Sequence, residues 1–436
     1  MKRLMTLTLA TMAVCTWSAI ALASFEKFFD KSISNEAFLT QVGTRSTTQL
    51  ADYLKTMKKN GPSKLFTKVA AIDSFDITPT VYGVRHAINY YIPKSYKADG
   101  SSPVLILLHG GGASTNTYES SKGVAQMYMG DWTQFSEKHG MVIVAPASSL
   151  GWAYNTRMLV SEVMNLVNSD LSINPDRIIL WGHSMGAMGL TREAHWLSDK
   201  AAAVLADAGG MQDEFRIDQY LLTYFNLNFI HSQGLNDQFS VFVTRTKEVQ
   251  RMVKVLESEL AMPSRYEANF QDRDHNPNMS WTFKKFEDQI LKTSRDIYQK
   301  NIFPLMVKVD AKNNRLGPDV DSYLVNKYFW IEAPKLATDL PRKEFDQGKG
   351  ENFIAFKAVT KGNTIDISVN DPNLTILRVL LSSKMVNLDN PVTIQVNGRP
   401  LFEGAVKADQ KKMLEIARTR NDPKFLFDTY VDINLK

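Results

Sequence analysis

A short apolar run returns five times between residues 104 and 232: "VLILL" at 104–108, "MVIVAP" at 141–146, "RIILWG" at 177–182, "AAAVLA" at 201–206 and "NLNFIHS" at 226–232. The first shows no polar alternation at all. A strand with one face in water alternates; a run apolar on both faces belongs inside a sheet covered on both sides. Helical periodicity fills the gaps. "TRMLVSEVMNLVNSD" sets Leu159, Val163 and Val167 about one turn apart, and "VTRTKEVQRMVKVLESEL" is a second such stretch. Alternating strand and helix predicts an α/β unit, a mostly parallel sheet with helices on both faces. "HAINYYIP" before these runs and "YEANF" after them extend the pattern, which places the unit at 81–304.

Near Pro304 the pattern changes. "NTIDISVN" alternates, with Ile365, Ile367 and Val369 on one side, and "VTIQVNGRPLFEG" reads as a hairpin turning at Asn397-Gly398. "YFWIEA", "FIAFKAV", "LTILRVLLS" and "FDTYVDINL" are further strands, and "DQKKMLEIARTR" is one helix among them. Residues 305–436 are therefore expected to form a mainly antiparallel C-terminal β domain. Residues 24–80 read as a helical preamble. "STTQLADYLKTMKKNGP" puts Leu50, Tyr53, Leu54 and Met57 on one face, expected to pack on the α/β unit.

Residues 1–23 have the pattern of an export signal: Lys2 and Arg3, an apolar stretch, then Ala21-Leu22-Ala23 before Ser24. Thr6, Thr8, Thr11, Thr16 and Ser18 interrupt that stretch and argue against a membrane anchor. Cys15 is the single cysteine and lies inside it, so the chain beyond offers no disulfide, thiolate chemistry or cysteine metal site. The net charge of +5 is spread without a run of five like charges, which argues against a nucleic-acid partner.

The chemistry starts at Gly182-His183-Ser184-Met185-Gly186, between a predicted strand and a predicted helix. So tight a turn strains its central residue, and the glycines let neighbouring chain pass without a Cβ clash. The Ser184 hydroxyl is thrust above the sheet edge, at a helix N-terminus that favours developing negative charge. His109-Gly110-Gly111-Gly112 directly follows the "VLILL" strand. Backbone N–H groups from Gly110, Gly111 and Gly112, with that of Met185, fit an oxyanion hole; such a donor is typically worth about 10²–10³ in rate.

A serine needs a base. In sites of this kind the chain order is serine, acid, histidine. Of seven histidines, His86, His109, His139 and His183 precede Ser184. His195 lies on the helix after the turn, and His231 lies inside a predicted strand. His275, in the loop "NFQDRDHNPNMSW" after a strand, is the candidate base. Asp237, just past the "NFIHS" strand, is the candidate acid, with Asp207 as the alternative. Asp272 and Asp274 are too near His275 in sequence to orient its ring easily. Asp and His in "DRDH" invite a metal reading, but no second histidine has ligand spacing, so no metal and no cofactor is expected. Trp152, Tyr154 and Trp281 could line an acyl or aromatic pocket, or pack as core.

With these residues in hand, the chain resembles secreted α/β-hydrolase esterases of the polyhydroxybutyrate depolymerase, feruloyl esterase and phospholipase/carboxylesterase kind. The similar stretches are "YYIPKSY…PVLILLHGGGAS", "DLSINPDRIILWGHSMGAMG" and "HSQGLNDQFSV", over about 90–280. The resemblance implies a nucleophile at Ser184, an acid at Asp237, a base at His275, and oxyanion donors at Met185 and in the Gly110–Gly112 loop. It departs where Ser232 and Gln233 separate His231 from Gly234, and where His275 is flanked by Asp274 and Asn276 rather than glycine. The expected activity is hydrolysis of small or polymeric carboxylic esters by an exported enzyme. A peptidase of the same fold is one alternative. A carbohydrate- or polymer-binding protein using exposed aromatics of "YLVNKYFWIEA" at 323–333 is the other.

Overall fold

The apolar runs become the inner strands of one sheet. The structure, a computed structural model, describes residues 25–44, 46–59, 61–78, 84–152, 157–210, 221–309, 323–334, 354–369, 371 and 374–436. Residues 1–23, read as an export signal, lie outside the described residues. Helices α1 (Asn35–Val42) and α2 (Thr47–Lys55) come first. Then follow β1 (Asp73–Ile77), β2 (His86–Tyr91), β3 (Val104–Leu108), α3 (Tyr118–His139), β4 (Val142–Pro146), α4 (Arg157–Asp170) and β5 (Ile178–His183). Next come α5 (Met185–Leu197), β6 (Ala203–Asp207), β7 (Asn228–Gly234), α6 (Ser240–Leu260), β8 (Tyr266–Gln271) and α7 (Met279–Asp288).

Among the described residues the sheet has eight strands, ordered β1-β2-β4-β3-β5-β6-β7-β8. It is antiparallel at β1–β2 and β2–β4 and parallel from there on. β3 is wholly buried, and its side chains divide between two cores. Val104, Ile106 and Leu108 pack towards Leu159, Val163 and Leu190 on α4 and α5. Leu105 and Leu107 face Met129 and Trp132 of α3 and Phe286 of α7. This two-sided burial is why the run carries no alternation.

The chain then forms β9 (Asn301–Ile302), β10 (Leu305–Val309), β11 (Tyr323–Val325), β12 (Lys327–Tyr328), β13 (Ile331–Glu332), β14 (Ile354–Lys361) and β15 (Thr364–Val369). β16 (Ile376–Leu381), β17 (Val392–Val396), β18 (Arg399–Gly404), α8 (Gln410–Thr419) and β19 (Thr429–Asn434) complete it. Among the described residues these strands make two sheets, β11-β10-β14-β15-β17-β18 with β9 beside β14, and β12-β13-β16-β19. All their pairings are antiparallel except β15–β17. The β17–β18 turn has positive φ at Asn397 and Gly398, which a two-residue hairpin turn of this hand requires. The aromatics at 328–330 are core: Tyr328, Phe329 and Trp330 are 2% exposed or less. The surface that motivated the binding-protein alternative is thus absent at these positions.

The preamble does not pack as expected. Leu50 and Leu54 of α2, with Phe28, Phe38 and Val42, bury against Met413, Leu414 and Ala417 of α8, not against the α/β unit. α8 gives Ile416 to the β core on its other side. A helix apolar on two faces needs a second cover, and the preamble supplies it. After α2 the chain reaches the α/β unit, where Lys59 pairs with Asp170 at 2.6 Å. No helix among the described residues is long and apolar enough to cross a membrane.

The β region docks on the edge of the large sheet formed by its strands' N-terminal ends. Arg295, 3% exposed, bridges Asp176 (2.8 Å), just before β5, and Asp422 (2.6 Å). Arg420 bridges Asp199 (2.7 Å), ahead of β6, and Glu332 (3.1 Å). Asn226, ahead of β7, donates to the Gln299 side chain and the Asn301 carbonyl. Removing one partner of a buried pair strands the other charges. Arg295→Met is therefore expected to cost about 3–5 kcal/mol of unfolding free energy. Urea melts check it, and a loss under about 1 kcal/mol would show that the network contributes little.

Candidate active site

Ser184 sits between β5 and α5 at φ 53°, ψ −116°, a left-handed backbone that a side chain adopts only under constraint. The constraints are visible. Its N–H donates to the Asp207 carbonyl at 2.8 Å, and its carbonyl accepts from Met188 N–H at 3.0 Å. α5 is pressed onto the sheet so closely that a Cβ on Gly186 would lie 2.0 Å from the Leu108 carbonyl oxygen. A Cβ on Gly182 would lie 2.7 Å from the Gly186 backbone. Both glycines are required by close approach, and the serine between them has nowhere to go but up.

The chain ends beyond β7 and β8 meet that serine. Ser184 Oγ donates to His275 Nε2 at 2.8 Å, and His275 Nδ1 donates to Asp237 Oδ2 at 2.9 Å. A carboxylate only accepts, so Asp237 holds the proton on Nδ1 and leaves Nε2 a lone pair facing the hydroxyl. The Asp237 side chain is fully buried. Its Oδ2 also accepts from Gln233 Nε2 at 2.8 Å and its Oδ1 from Phe239 N–H at 2.8 Å. Gln233, one of the two residues that depart from the family pattern, is thus a partner of the acid. Phe239 meets the His275 ring edge-on at 4.8 Å. Asp207, the alternative acid, pairs with Arg273 and makes no hydrogen bond to His275. Burial pushes its carboxyl up to about 6 against the pull of that guanidinium.

A cleft of about 750 Å³ opens over the serine. Leu150, Met185, Met188, Phe239 and Phe242 give it an apolar wall, and Tyr128, His183 and Arg192 a polar one. Gly111 and Gly112, both at positive φ, line it together with His275. Gly110 lies under the serine, where a Cβ would come within 3.2 Å of Ser184 Cβ. Met185 opens α5, in the first turn, where helical N–H groups have no partner within the helix.

The candidate pocket aromatics divide. Trp152 borders the cleft but is 2% exposed, and its indole N–H donates to the His109 carbonyl at 2.8 Å. Trp281 does not reach the cleft. It rides on α7 and packs on the core beneath α3, because the turn capped by Asn278 carries the chain away from His275 before the helix begins. Tyr154 lies outside the described residues. His109 is buried, accepts from Ser148 N–H at 3.1 Å, and is held down to about 4 by burial. His231 is a core residue bonded to the Tyr266 hydroxyl at 2.8 Å.

Tyr128 and His183 also escaped the sequence reading as parts of the site. Tyr128 on α3 donates its hydroxyl to His183 Nδ1 at 2.6 Å, and His183 Nε2 donates to the His275 carbonyl at 2.8 Å. Burial lowers the His183 pKa to about 4, so the ring stays neutral and bridges both neighbours. Its place inside the glycine-serine turn was a signal; chain order set it aside.

Strand order with a serine turn after β5, an acid after β7 and a histidine after β8 defines an α/β-hydrolase, carrying a C-terminal β domain. Residues 81–190 match the model of a family described as putative esterase. No curated protein sequence matches the chain. Among solved structures, a thermostable esterase is similar at 17% identity and TM-score 0.40, covering 51% of this chain and 63% of its own. The poly(3-hydroxybutyrate) depolymerase LpqC of Bordetella parapertussis is similar at 15% identity and TM-score 0.42, covering 50% and 90%. The fluorophosphonate-binding serine hydrolase F of Staphylococcus aureus is similar at 16% identity and TM-score 0.38, covering 53% and 98%. The chain thus spans less than two thirds of the first of these.

Proposed function

We propose that the protein is an exported serine hydrolase of carboxylic esters, working through an acyl-enzyme on Ser184. The observation that carries this is the unbroken contact Ser184 Oγ–His275 Nε2–Asp237 Oδ2, at 2.8 and 2.9 Å, at the floor of an open cleft. As Oγ attacks the ester carbon, His275 takes its proton and Asp237 stabilises the imidazolium. Negative charge gathers on the former carbonyl oxygen, within reach of the Met185 N–H and the Gly111–Gly112 loop. When the C–O bond breaks, His275 gives that proton to the leaving alcohol. It then takes a proton from water, whose oxygen attacks the acyl carbon, and returns that proton to Ser184 Oγ as the acyl–serine bond breaks. No step calls for a cofactor or a metal. The apolar wall fits an acyl or aryl group, since burying each CH₂ there gains about 0.8 kcal/mol. Lys2, Arg3, the apolar stretch and Ala21-Leu22-Ala23 support export.

A fluorophosphonate probe tests the reading. Labelling of the wild type and not of folded Ser184→Ala is expected; an unlabelled, folded wild type would remove the mechanism.

A further inference from the structure

The loop bearing His275 is gripped at three successive carbonyls. Arg273 Nη1 donates to the Asp274 carbonyl at 3.2 Å and to the Asn276 carbonyl at 2.6 Å. His183 Nε2 holds the one between, on His275 itself, at 2.8 Å. The other arm of the guanidinium reaches into the sheet. Nη2 donates to Ser232 Oγ on β7 at 3.0 Å and pairs with Asp207 at the end of β6. The Asp207 side chain is fully buried and that of Arg273 only 10% exposed. Asp207 holds the other reactant too, because its main-chain carbonyl accepts the Ser184 N–H at 2.8 Å. One residue thus fixes the serine through its backbone and the histidine loop through its side chain. The loop lies flat on the sheet edge: a Cβ on Gly234 would stand 2.2 Å from the Asp274 carbonyl oxygen.

A buried ion pair is a weak source of stability, and apolar residues of the same volume often serve as well or better. What this pair supplies is direction, since a planar guanidinium spends four hydrogen bonds on four fixed acceptors. Neither residue lines the cleft. We propose that the Arg273–Asp207 pair is a positioning device that sets the Ser184–His275 geometry and so governs kcat without contributing to substrate binding. This rests on the reading of His275 as the base.

Misplacing a reacting group by about 1 Å can cost about 10²-fold in rate. The test uses the full chain, para-nitrophenyl acetate hydrolysis and thermal melts. Arg273→Lys keeps the cation against Asp207, and so the fold, but an ammonium cannot span both carbonyls in one plane. Its kcat is expected to fall by about 10- to 100-fold with KM within about twofold and Tm held. Arg273→Met is expected to fall further, with Lys giving partial rescue over Met; if the Met variant fails to fold, the Lys variant alone decides. Wild-type kcat in Arg273→Lys, or a loss carried mainly by KM, overturns the proposal. His275→Ala is measured beside them. If it keeps activity, the base assignment falls. If it is inactive while Arg273→Lys runs at the wild-type rate, only the positioning role falls.

Discussion

Asp237→Asn is expected to lower kcat by about 10⁴-fold while KM stays within a few-fold, because the amide favours the wrong histidine tautomer. The carboxylate accepts three hydrogen bonds, from His275 and Gln233 on Oδ2 and from Phe239 N–H on Oδ1. An asparagine has one oxygen for these places. If that oxygen faced His275, its NH₂ would confront the Phe239 N–H, donor against donor, in a fully buried site. The opposite orientation avoids that clash. Oδ1 takes the Phe239 N–H, and Nδ2 donates to His275 Nδ1 and to a Gln233 amide turned to present its oxygen. In that arrangement His275 carries its proton on Nε2, facing Ser184 Oγ, and has no lone pair to receive the serine proton. The same swap in serine proteases costs about 10⁴ for this reason. Asp237 does not line the cleft, so binding is spared. Steady-state kinetics on para-nitrophenyl acetate check it. A variant keeping a tenth of wild-type kcat would mean that another group orients the base, and Asp207, engaged by Arg273, is poorly placed to do so.

The parts of this molecule legible in the sequence are those where one local demand has one solution. β3 and β5 are buried along their whole length, so β3 and the first four residues of β5 are apolar without alternation. The Ser184 turn is legible because backbone presses on backbone at Gly182 and Gly186 and nothing larger fits. β1 was missed because it is a half-exposed edge strand, "DSFDI", hydrogen-bonded to β2 on one side, and edge burial leaves no clean period. The choice between Asp237 and Asp207 stayed open for a related reason. Both stand at the C-terminal ends of strands, and what separates them is Arg273, which lies 66 residues from Asp207 in the chain and wears no local signature. Trp281 shows the converse error. It stands six residues after His275, yet one capped helix start turns it towards a different core. Amphipathic α2 announced its apolar face correctly but not the surface that would cover it, since two helices and a distant α8 close on each other from opposite ends of the chain.

Stability is expected to fall steeply in mild acid, with unfolding free energy dropping by about 3 kcal/mol per pH unit between about pH 6 and pH 4.5. The cause is a set of buried neutral histidines. His109 and His183 are held down to about 4 and His231 to about 3, each first by burial, and His86 is lowered by the same cause. An unfolded histidine takes its proton near pH 6.5. Between that value and the folded one, the unfolded chain binds more protons. The stability these groups contribute is therefore complete above about 6.5 and is lost as pH falls towards 4, at about 1.4 kcal/mol per unit for each ring. Asp207 acts in the opposite sense. Burial raises its carboxyl to about 6, well above its ordinary value, so the folded protein takes that proton first and offsets roughly one histidine. His109, His183 and His231 less that one leave about two protons, which is large against the 5–15 kcal/mol that hold a typical domain. Urea midpoints at about pH 7.5, 6 and 5, read by circular dichroism, measure it. A flat unfolding free energy from pH 6 to 5 would mean that these rings are protonated in the fold. A charged His183 would present an N–H at Nδ1, and the Tyr128 hydroxyl would then have to accept there instead of donating.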